Sequence, residues 1–138
     1  MKKREPISNI MTKDVYTVNE NDKLKDAVTL IRDHKIRHIP VMNGKNVSGI
    51  ISRTDLNRLT FGTLFDNQEG ADAAVLDMLS IPQVMTSKPK TVSSTDSIRD
   101  VAEIFAKEEY HALPVIDNGE LKGIVTTTDL IAYMLEQY

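Results

Sequence analysis

Residues 49–56 read Gly-Ile-Ile-Ser-Arg-Thr-Asp-Leu, and residues 123–130 read Gly-Ile-Val-Thr-Thr-Thr-Asp-Leu. The two stretches lie 74 residues apart, and the same offset aligns residues 11–56 with residues 85–130 without a gap and with 13 identities. Unrelated segments of this length would match at only a few positions. The chain therefore contains an internal duplication. One repeat of about 45 residues is too small to bury a core alone, so the two repeats are expected to pack together.

Each repeat begins with a predicted strand and helix. β-branched residues at 15–18 and at 91–92 indicate a short strand. Asp22 and Asp96 then stand where the N-cap of a helix is expected. The apolar residues that follow have the spacing of one buried helical face: Leu24, Ala27, Val28 and Ile31 in the first repeat, and Ile98, Val101, Ala102 and Phe105 in the second.

A predicted hairpin and a second helix complete each repeat. Asn43-Gly44 and Asn118-Gly119 readily supply positive φ angles, so each pair predicts a β-hairpin. Pro40 and Pro114 lack an N–H, which predicts strand starts or edge positions. The last helix is expected to begin near Thr54 and Thr128. Its apolar residues are Leu56, Leu59 and Leu64 in one repeat and Leu130, Ile131, Met134 and Leu135 in the other.

The predicted fold class is therefore α/β (α+β), with two β-α-β-β-α repeats in one integrated module. The first repeat is expected at residues 1–62 and the second at residues 84–138. Between them, residues 63–83 are interpreted as a linker with a polar stretch, Asp66–Gly70, and a short helix over Ala73–Leu79.

Composition narrows the classes of function. The net charge of −3 supplies no basic surplus for phosphates, so nucleic-acid binding is unlikely from the sequence. The chain has no cysteine, which excludes disulfides and cysteine-based metal sites. No apolar run approaches the roughly 18 residues of a membrane span, and no apolar segment follows the basic residues 2–4 as in a secretory signal. A cytoplasmic protein that makes no contact with a membrane is expected.

The duplicated motifs resemble the tandem cystathionine-β-synthase (CBS) domain family, also called Bateman modules. The resemblance rests on Ile10–Thr12, Arg37–Val41 and Gly49–Leu56 with their second copies, and it covers roughly residues 7–137. It implies repeats packed about a pseudo-twofold axis with two clefts. In this family the clefts bind AMP, ADP, ATP or another adenosyl ligand such as S-adenosylmethionine, although some copies bind nothing. It also implies a homodimer that regulates another protein.

The sharpest chemical feature is a hydroxyl three residues before a carboxylate, at Ser52 and Asp55 and again at Thr126 and Asp129. At a strand-to-helix junction this pattern is first of all a helix cap. The same geometry suits a nucleotide, since a helix N-terminus accepts phosphate and a carboxylate accepts ribose hydroxyls. The family resemblance assigns ribose binding to Asp55 and Asp129, with Ser52 and Thr126 assisting. Thr54 and Thr128 lie inside the same motifs and are included as ligand-binding candidates.

Other candidates have structural and binding interpretations that stay open. Thr17 and Thr91 either favour the first strand or contact the nucleotide, as the resemblance implies. Ile39 and Leu113 either flank an adenine ring or belong to the core. Arg37 suits a bidentate grip on phosphate, with His38 and His111 as adjuncts, or is a solvated charge. Since the second repeat has His111 in place of Arg37, the two clefts are expected to differ in affinity or ligand.

The sequence thus predicts a non-catalytic sensor of adenine nucleotides that acts on an unknown regulated protein and requires no cofactor. No phosphate-binding loop of the Walker type is present. The three histidines lack the spacing of metal ligands, and no Ser-His-Asp constellation can be assembled. His34 is interpreted as a residue at the C-terminal end of a helix, where it interacts with the helix dipole. The alternative is a ligand-free scaffold for dimerisation or interaction. Its support is the lost arginine at 111 and a linker containing Phe61, Leu64 and Phe65.

Overall fold

A computed structural model describes residues 4–59 and 71–138 of the chain. It divides into two compact units. The first unit is Tyr16–Pro89, and the second unit combines Met1–Val15 with Lys90–Tyr138. The expected α/β class is confirmed, since each unit contains helices and an antiparallel hairpin. The units differ from the sequence repeats because the N-terminal segment of the chain belongs to the unit that contains the second hairpin.

The first unit contains a mixed sheet of four strands in the order β1-β2-β3-β4 among the residues described. Strand β1 is parallel to β2, whereas β2, β3 and β4 are antiparallel neighbours. The elements are β1 (Val18–Asn19), α1 (Leu24–His34), β2 (His38–Asn43), β3 (Asn46–Ser52), α2 (Arg53–Asn57), α3 (Ala71–Met78), α4 (Ile81–Val84) and β4 (Thr86–Ser87).

The second unit has a similar order of elements, but the segments on either side of its hairpin pair with it over a shorter length. Its hairpin is flanked by two single-residue bridges, Val92 with Val115 and Thr12 with Ile124. The predicted strand at 91–92 is thus reduced to one pair. The elements are a 3₁₀ turn (Ile7–Asn9), α5 (Ile98–Lys107), β5 (Ala112–Asp117), β6 (Glu120–Thr126) and α6 (Thr127–Glu136).

Asp22 and Asp96 do not cap the helices as the sequence suggested. Each carboxylate closes the turn before its helix, accepting the Asn19 N–H at 2.8 Å and the Ser93 N–H at 2.9 Å. The N-cap positions fall one residue later, because the turn takes up both aspartates. In α5, the Oγ of the true cap, Ser97, accepts the Asp100 N–H at 3.0 Å.

Both hairpins form, but their turns are made differently. In the second, Asn118 and Gly119 both have positive φ, as a type I′ turn requires. In the first, Asn43 is a strand residue paired with Asn46, and the turn is made by Gly44 (φ 61°) and Lys45. The prediction that Asn43-Gly44 forms the turn is therefore displaced by one residue. Pro40 and Pro114 are the third residues of their strands, rather than first residues.

Each unit has its own apolar core, and the predicted helical faces supply it. Leu24, Ala27, Val28 and Ile31 are buried in the first unit. In the second, Ile98 and Val101 are buried, and Phe105 is partly buried. Ile7, from the N-terminal segment, is also wholly buried in the second core. In contrast, Ile131, Met134 and Leu135 of α6 are exposed, so the apolar residues of that helix do not all face the core.

Two segments, Ile10–Thr12 and Val84–Thr86, carry a Met-Thr pair and are called here the Met-Thr segments. In the second unit Thr12 pairs with Ile124, and in the first Thr86 pairs with Ile50, which is the same register. A Cβ on Gly123 would lie 2.7 Å from Thr12 O, and a Cβ on Gly49 would lie 2.9 Å from Thr86 O. Glycine is therefore needed at both positions for the segment to approach the strand.

Part of the predicted linker lies within the described residues. Helix α3 confirms the expected short helix, with bounds shifted by one to two residues. The polar stretch Asp66–Gly70 and the linker residues Phe61, Leu64 and Phe65 lie outside the described residues. His34 ends α1 as expected, and its ring stacks on Tyr16 with a centroid separation of 4.0 Å.

Candidate functional site

The candidate site of the first unit lies where β3 passes into α2. Ser52 is the N-cap, and its Oγ accepts the Asp55 N–H at 3.0 Å. Asp55 Oδ2 in turn accepts the Ser52 N–H at 3.0 Å. These reciprocal bonds form a capping box. The capping interpretation of this motif is confirmed, and it leaves Asp55 Oδ1 outside the box.

The second unit repeats this junction between β6 and α6. Thr126 Oγ1 accepts the Asp129 N–H at 3.1 Å, and Asp129 Oδ2 accepts the Thr126 N–H at 3.0 Å. Here the helix is ten residues long, so its N-terminus carries a substantial dipole. Helix α2 has only five residues, and the dipole contribution expected there is correspondingly small.

The hairpins bring the predicted residues together from distant parts of the sequence. In the first unit His38 pairs with Ser52, and the Arg53 N–H donates to Arg37 O at 2.8 Å. The second unit has the same arrangement, with Ala112 opposite Thr126 and the Thr127 N–H donating to His111 O at 3.0 Å. The end of each hairpin remote from its turn, called here the open end, therefore adjoins the capping box.

The other hydroxyl candidates are also at the surface. Thr17 and Thr91 are exposed and directly precede Val18 and Val92, whose partners lie in β2 and β5. Because those pairings are parallel, both threonines lie toward the open end of their hairpin. Thr54 and Thr128 are exposed in the first turn of α2 and α6. These residues can reach a ligand at the open end.

Ile39 and Leu113 occupy the cores instead. Both are 0% exposed, each in the apolar cluster of its own unit. Of the two interpretations of these residues, the structure shows the core placement. Contact of these residues with an adenine ring stays a prediction.

The two open ends differ strongly in charge. Four ionisable residues of the first unit align with residues that are mostly neutral in the second. They are Arg37, His38, Arg53 and Arg58, which align with His111, Ala112, Thr127 and Ala132. Arg58 Nη1 lies 3.8 Å from Asp55 Oδ1 with the arginine side chain 75% exposed, so this ion pair is weak and open to a ligand. The first unit is therefore better equipped to hold an anion.

Thr12 makes a contact with the second capping box that the sequence did not reveal. Its Oγ1 lies 3.3 Å from both carboxylate oxygens of Asp129, which is 117 residues away in the chain. The Met-Thr motif was evident in the sequence, but only as a sign of the repeat. The sequence signal that could have predicted this contact is the presence, in each repeat, of both a Met-Thr segment and a glycine that allows such a segment to approach the strand closely.

Two groups of the second unit, Asp117 and Tyr133, have shifted pKa values. The side chain and the backbone N–H of Ser94, with the hydroxyl of Ser93, hold the pKa of Asp117 below its usual value. Burial raises the pKa of Tyr133, and its hydrogen bond to Glu5 (2.9 Å) raises it further. Both side chains form hydrogen bonds between distant segments of the second unit, Asp117 with Ser93 and Ser94, and Tyr133 with Glu5. In the described part of the chain, no three His, Asp or Glu side chains cluster as a metal site would require.

Comparison with known proteins identifies the family. A model described as the CBS domain matches residues 7–61 and 81–136, which is most of the chain. The chain belongs to the CBS domain family. Both CBS repeats predicted from the sequence are thereby confirmed. Within the described part, no helix combines the length and apolar character needed to cross a bilayer.

Curated relatives share these CBS repeats at modest identity. Protein MJ1225 of Methanocaldococcus jannaschii is 28% identical over 131 residues, covering 94% of this chain and 47% of MJ1225. An inosine-5′-monophosphate dehydrogenase of Korarchaeum cryptofilum is 29% identical over 123 residues, covering 88% of this chain and 23% of that enzyme. The chain thus spans about half or less of the length of these relatives.

Solved CBS structures have the same fold. The crystal structure of MJ1225 matches with a TM-score of 0.81 at 26% identity, over 97% of this chain and 49% of that one. CBSX2, a CBS-pair protein from Arabidopsis thaliana, was solved in complex with AMP and matches with a TM-score of 0.79 at 20% identity, covering 96% of this chain and 98% of CBSX2. The CBS pair of MJ0100, with 5′-methylthioadenosine and S-adenosyl-L-methionine, matches at 0.75 and 23% identity, covering 94% and 98%.

Proposed function

We propose that the chain is a regulatory CBS-pair module that binds an adenosyl ligand, such as AMP, ADP or ATP, and performs no catalysis itself. The observation that carries the proposal is the capping box at the open end of each hairpin. There an aspartate held by the box keeps one carboxylate oxygen outside it, beside exposed hydroxyl groups. A carboxylate fixed in this way can accept the two hydroxyls of a ribose.

The ligands of similar folds support an adenosyl group in particular. CBSX2 was solved with AMP, and the MJ0100 pair with two other adenosyl compounds. AMP, 5′-methylthioadenosine and S-adenosylmethionine share adenine and ribose but differ beyond the ribose. A site that recognises the ribose through Asp55 or Asp129, and leaves the remaining groups to variable residues, would account for this range.

The charge difference between the units suggests that they prefer different ligands. Arg37 and Arg58 are exposed at the open end of the first unit, where guanidinium groups can bind phosphate bidentately. Their counterparts, His111 and Ala132, have no guanidinium group. The first unit is therefore proposed to take the more highly charged nucleotides, and the second to take AMP or an uncharged adenosyl compound.

Calorimetric titration with AMP, ATP and S-adenosylmethionine tests the proposal. Asp55→Asn and Asp129→Asn keep an oxygen for the capping box but lose the charge that favours ribose hydroxyls. Each variant should weaken binding in its own unit about tenfold. Asp26→Asn is the matched control, because Asp26 Oδ2 accepts the Lys23 N–H at the start of α1 in the same way but lies in another helix. Absence of heat and of thermal stabilisation with every ligand at millimolar concentration would refute ligand binding.

A ligand-free scaffold is the second candidate, and α6 favours it. Ile131 and Leu135 are 57% and 68% exposed on this helix, and Tyr138, which follows it, is 98% exposed. An apolar surface of this kind suits a homodimer or a regulated protein. Native mass spectrometry of the purified chain would report bound nucleotide and subunit number together. A dimer without nucleotide that Leu135→Glu converts to a monomer would favour the scaffold.

A further inference from the structure

The carboxylate of Asp129 has a partner besides its capping box. Thr12 Oγ1 lies 3.3 Å from Asp129 Oδ1 and 3.3 Å from Oδ2, so its hydroxyl donates into the fork between the two oxygens. Oδ2 also accepts the Thr126 N–H at 3.0 Å. A carboxylate has about four acceptor positions. Two of these positions, one on each oxygen, lie side by side, and the two hydroxyls of a vicinal diol would donate to them. The Thr12 hydroxyl donates to the same two positions.

The backbone of Thr12 is fixed, and its side chain can turn. The Thr12 N–H donates to Ile124 O at 2.8 Å, and the Ile124 N–H donates to Thr12 O at 2.9 Å. These two bonds hold the residue against β6, beside Gly123. Rotation about the Thr12 Cα–Cβ bond moves the hydroxyl away from Asp129 without breaking either of them. The hydroxyl is therefore placed on the carboxylate in advance, but a ligand can displace it.

The first unit offers a built-in comparison. Thr86 occupies the position equivalent to Thr12 and pairs with Ile50 in the same register. Among the described residues, however, no hydrogen bond joins Thr86 to Asp55. The oxygen of Asp55 outside its capping box lies 3.8 Å from Arg58 Nη1. The hydroxyl contact thus distinguishes the second unit from the first, although both contain the threonine and the aspartate.

We propose that Thr12 sets the affinity of the second unit, because its hydroxyl competes with the ligand's vicinal hydroxyls for the Asp129 carboxylate. This inference rests on the proposed binding of an adenosyl ligand. A ribose that donates two hydroxyls replaces one bifurcated bond, so binding still occurs but is weaker than at an unoccupied carboxylate. The dissociation constant of the second unit is accordingly higher than it would be without the Thr12 hydroxyl, and a higher ligand concentration is needed to occupy that site.

The full chain with ¹³C-labelled threonine methyl groups allows each unit to be followed during titration with AMP. The methyls of Thr54 and Thr128 report on the first and second unit respectively. Thr12→Val preserves the branched shape and removes the hydroxyl. The Thr12 contact is long and shared between two oxygens, so we assign it the net contribution of a typical hydrogen bond rather than the larger one of a short bond to a charged group. The dissociation constant in the second unit should therefore fall about fivefold. Thr12→Ser retains a hydroxyl and should bind close to wild type. Thr86→Val, the matched control, should leave both units unchanged.

The outcomes separate this inference from the function on which it rests. Tighter binding by Thr12→Val, or binding by that variant alone, supports the competition. If the wild-type protein binds AMP in the second unit and Thr12→Val binds it equally or more weakly, the competition by Thr12 is overturned. The proposed function stands in that case. If neither protein binds AMP in the second unit, the inference is overturned together with the proposed function of that unit.

Discussion

Gly123→Ala tests whether the Met-Thr segment is packed against β6 as tightly as the structure shows. The added Cβ would lie 2.7 Å from Thr12 O and 3.0 Å from Met11 Sδ. The methionine side chain can move, but Thr12 O belongs to a backbone that is held by two hydrogen bonds to Ile124. To restore ordinary contact, the segment must withdraw by several tenths of an ångström.

The expected magnitude follows from what that withdrawal disturbs. Overpacking a close contact costs about 1–3 kcal/mol, and weakening two backbone hydrogen bonds adds up to about 1 kcal/mol each. The movement would also pull on Ile7, which is wholly buried a few residues earlier. Gly123→Ala should therefore lower the free energy of unfolding by about 2–4 kcal/mol.

Urea denaturation followed by circular dichroism measures this change, with Gly44→Asn as the control. Gly44 has φ of 61° and no atom within 4 Å of a built Cβ, and asparagine tolerates this conformation. The control should stay within about 0.5 kcal/mol of wild type. If Gly123→Ala were as stable as the control, the close packing of the Met-Thr segment on β6 would be refuted.

Three further predictions follow from the folds of the units. Ser97→Ala removes the side-chain cap of α5 and should lower the free energy of unfolding by about 1 kcal/mol, measured by urea denaturation; no change would show that the Asp100 N–H has another acceptor. The folded pKa of Asp117 is below its usual 3.8, so its carboxylate stabilises the fold at neutral pH and loses this effect as the pH falls through that folded pKa. Asp117→Asn should thus be less stable than wild type at pH 7, with the difference shrinking below about pH 4, and a difference independent of pH would contradict the assignment. A fragment of residues 16–89 should unfold cooperatively, whereas residues 1–62 should not, because only the former contains the complete first unit.

Local sequence patterns predicted most of the fold. The faces of α1 and α5, the hairpins and the capping boxes at Ser52 and Thr126 each depend on residues a few positions apart, so spacing alone identifies them. The hydroxyl-carboxylate motif, in particular, needs only a donor and an acceptor three residues apart. The displaced caps at Asp22 and Asp96 show the limit of this reasoning, since a turn and a helix cap compete for the same side chain.

The features that were missed depend on contacts between distant residues. Thr12 reaches Asp129 only because the N-terminal segment lies against β6, and no spacing within either repeat encodes that placement. The exposure of Ile131 and Leu135 is similar, because a helix can carry more apolar residues than its own unit buries. The charge difference between Arg37 and His111 was visible in the sequence. The register of each hairpin shows in addition that these residues lie beside the capping box.

Each Met-Thr segment belongs to the unit that contains the hairpin of the other repeat, which suggests how the two proposed sites of a duplicated sequence can come to differ. Each segment pairs with the hairpin of the other repeat, so Thr12 and Asp129 come from different copies, as do Thr86 and Asp55. A site assembled from both copies changes when either copy changes. In the second unit, a substitution at Thr12 is therefore expected to alter the proposed site of the opposite repeat while leaving its capping box intact. On this proposal, the two sites can diverge in affinity without loss of the helix caps on which the fold depends.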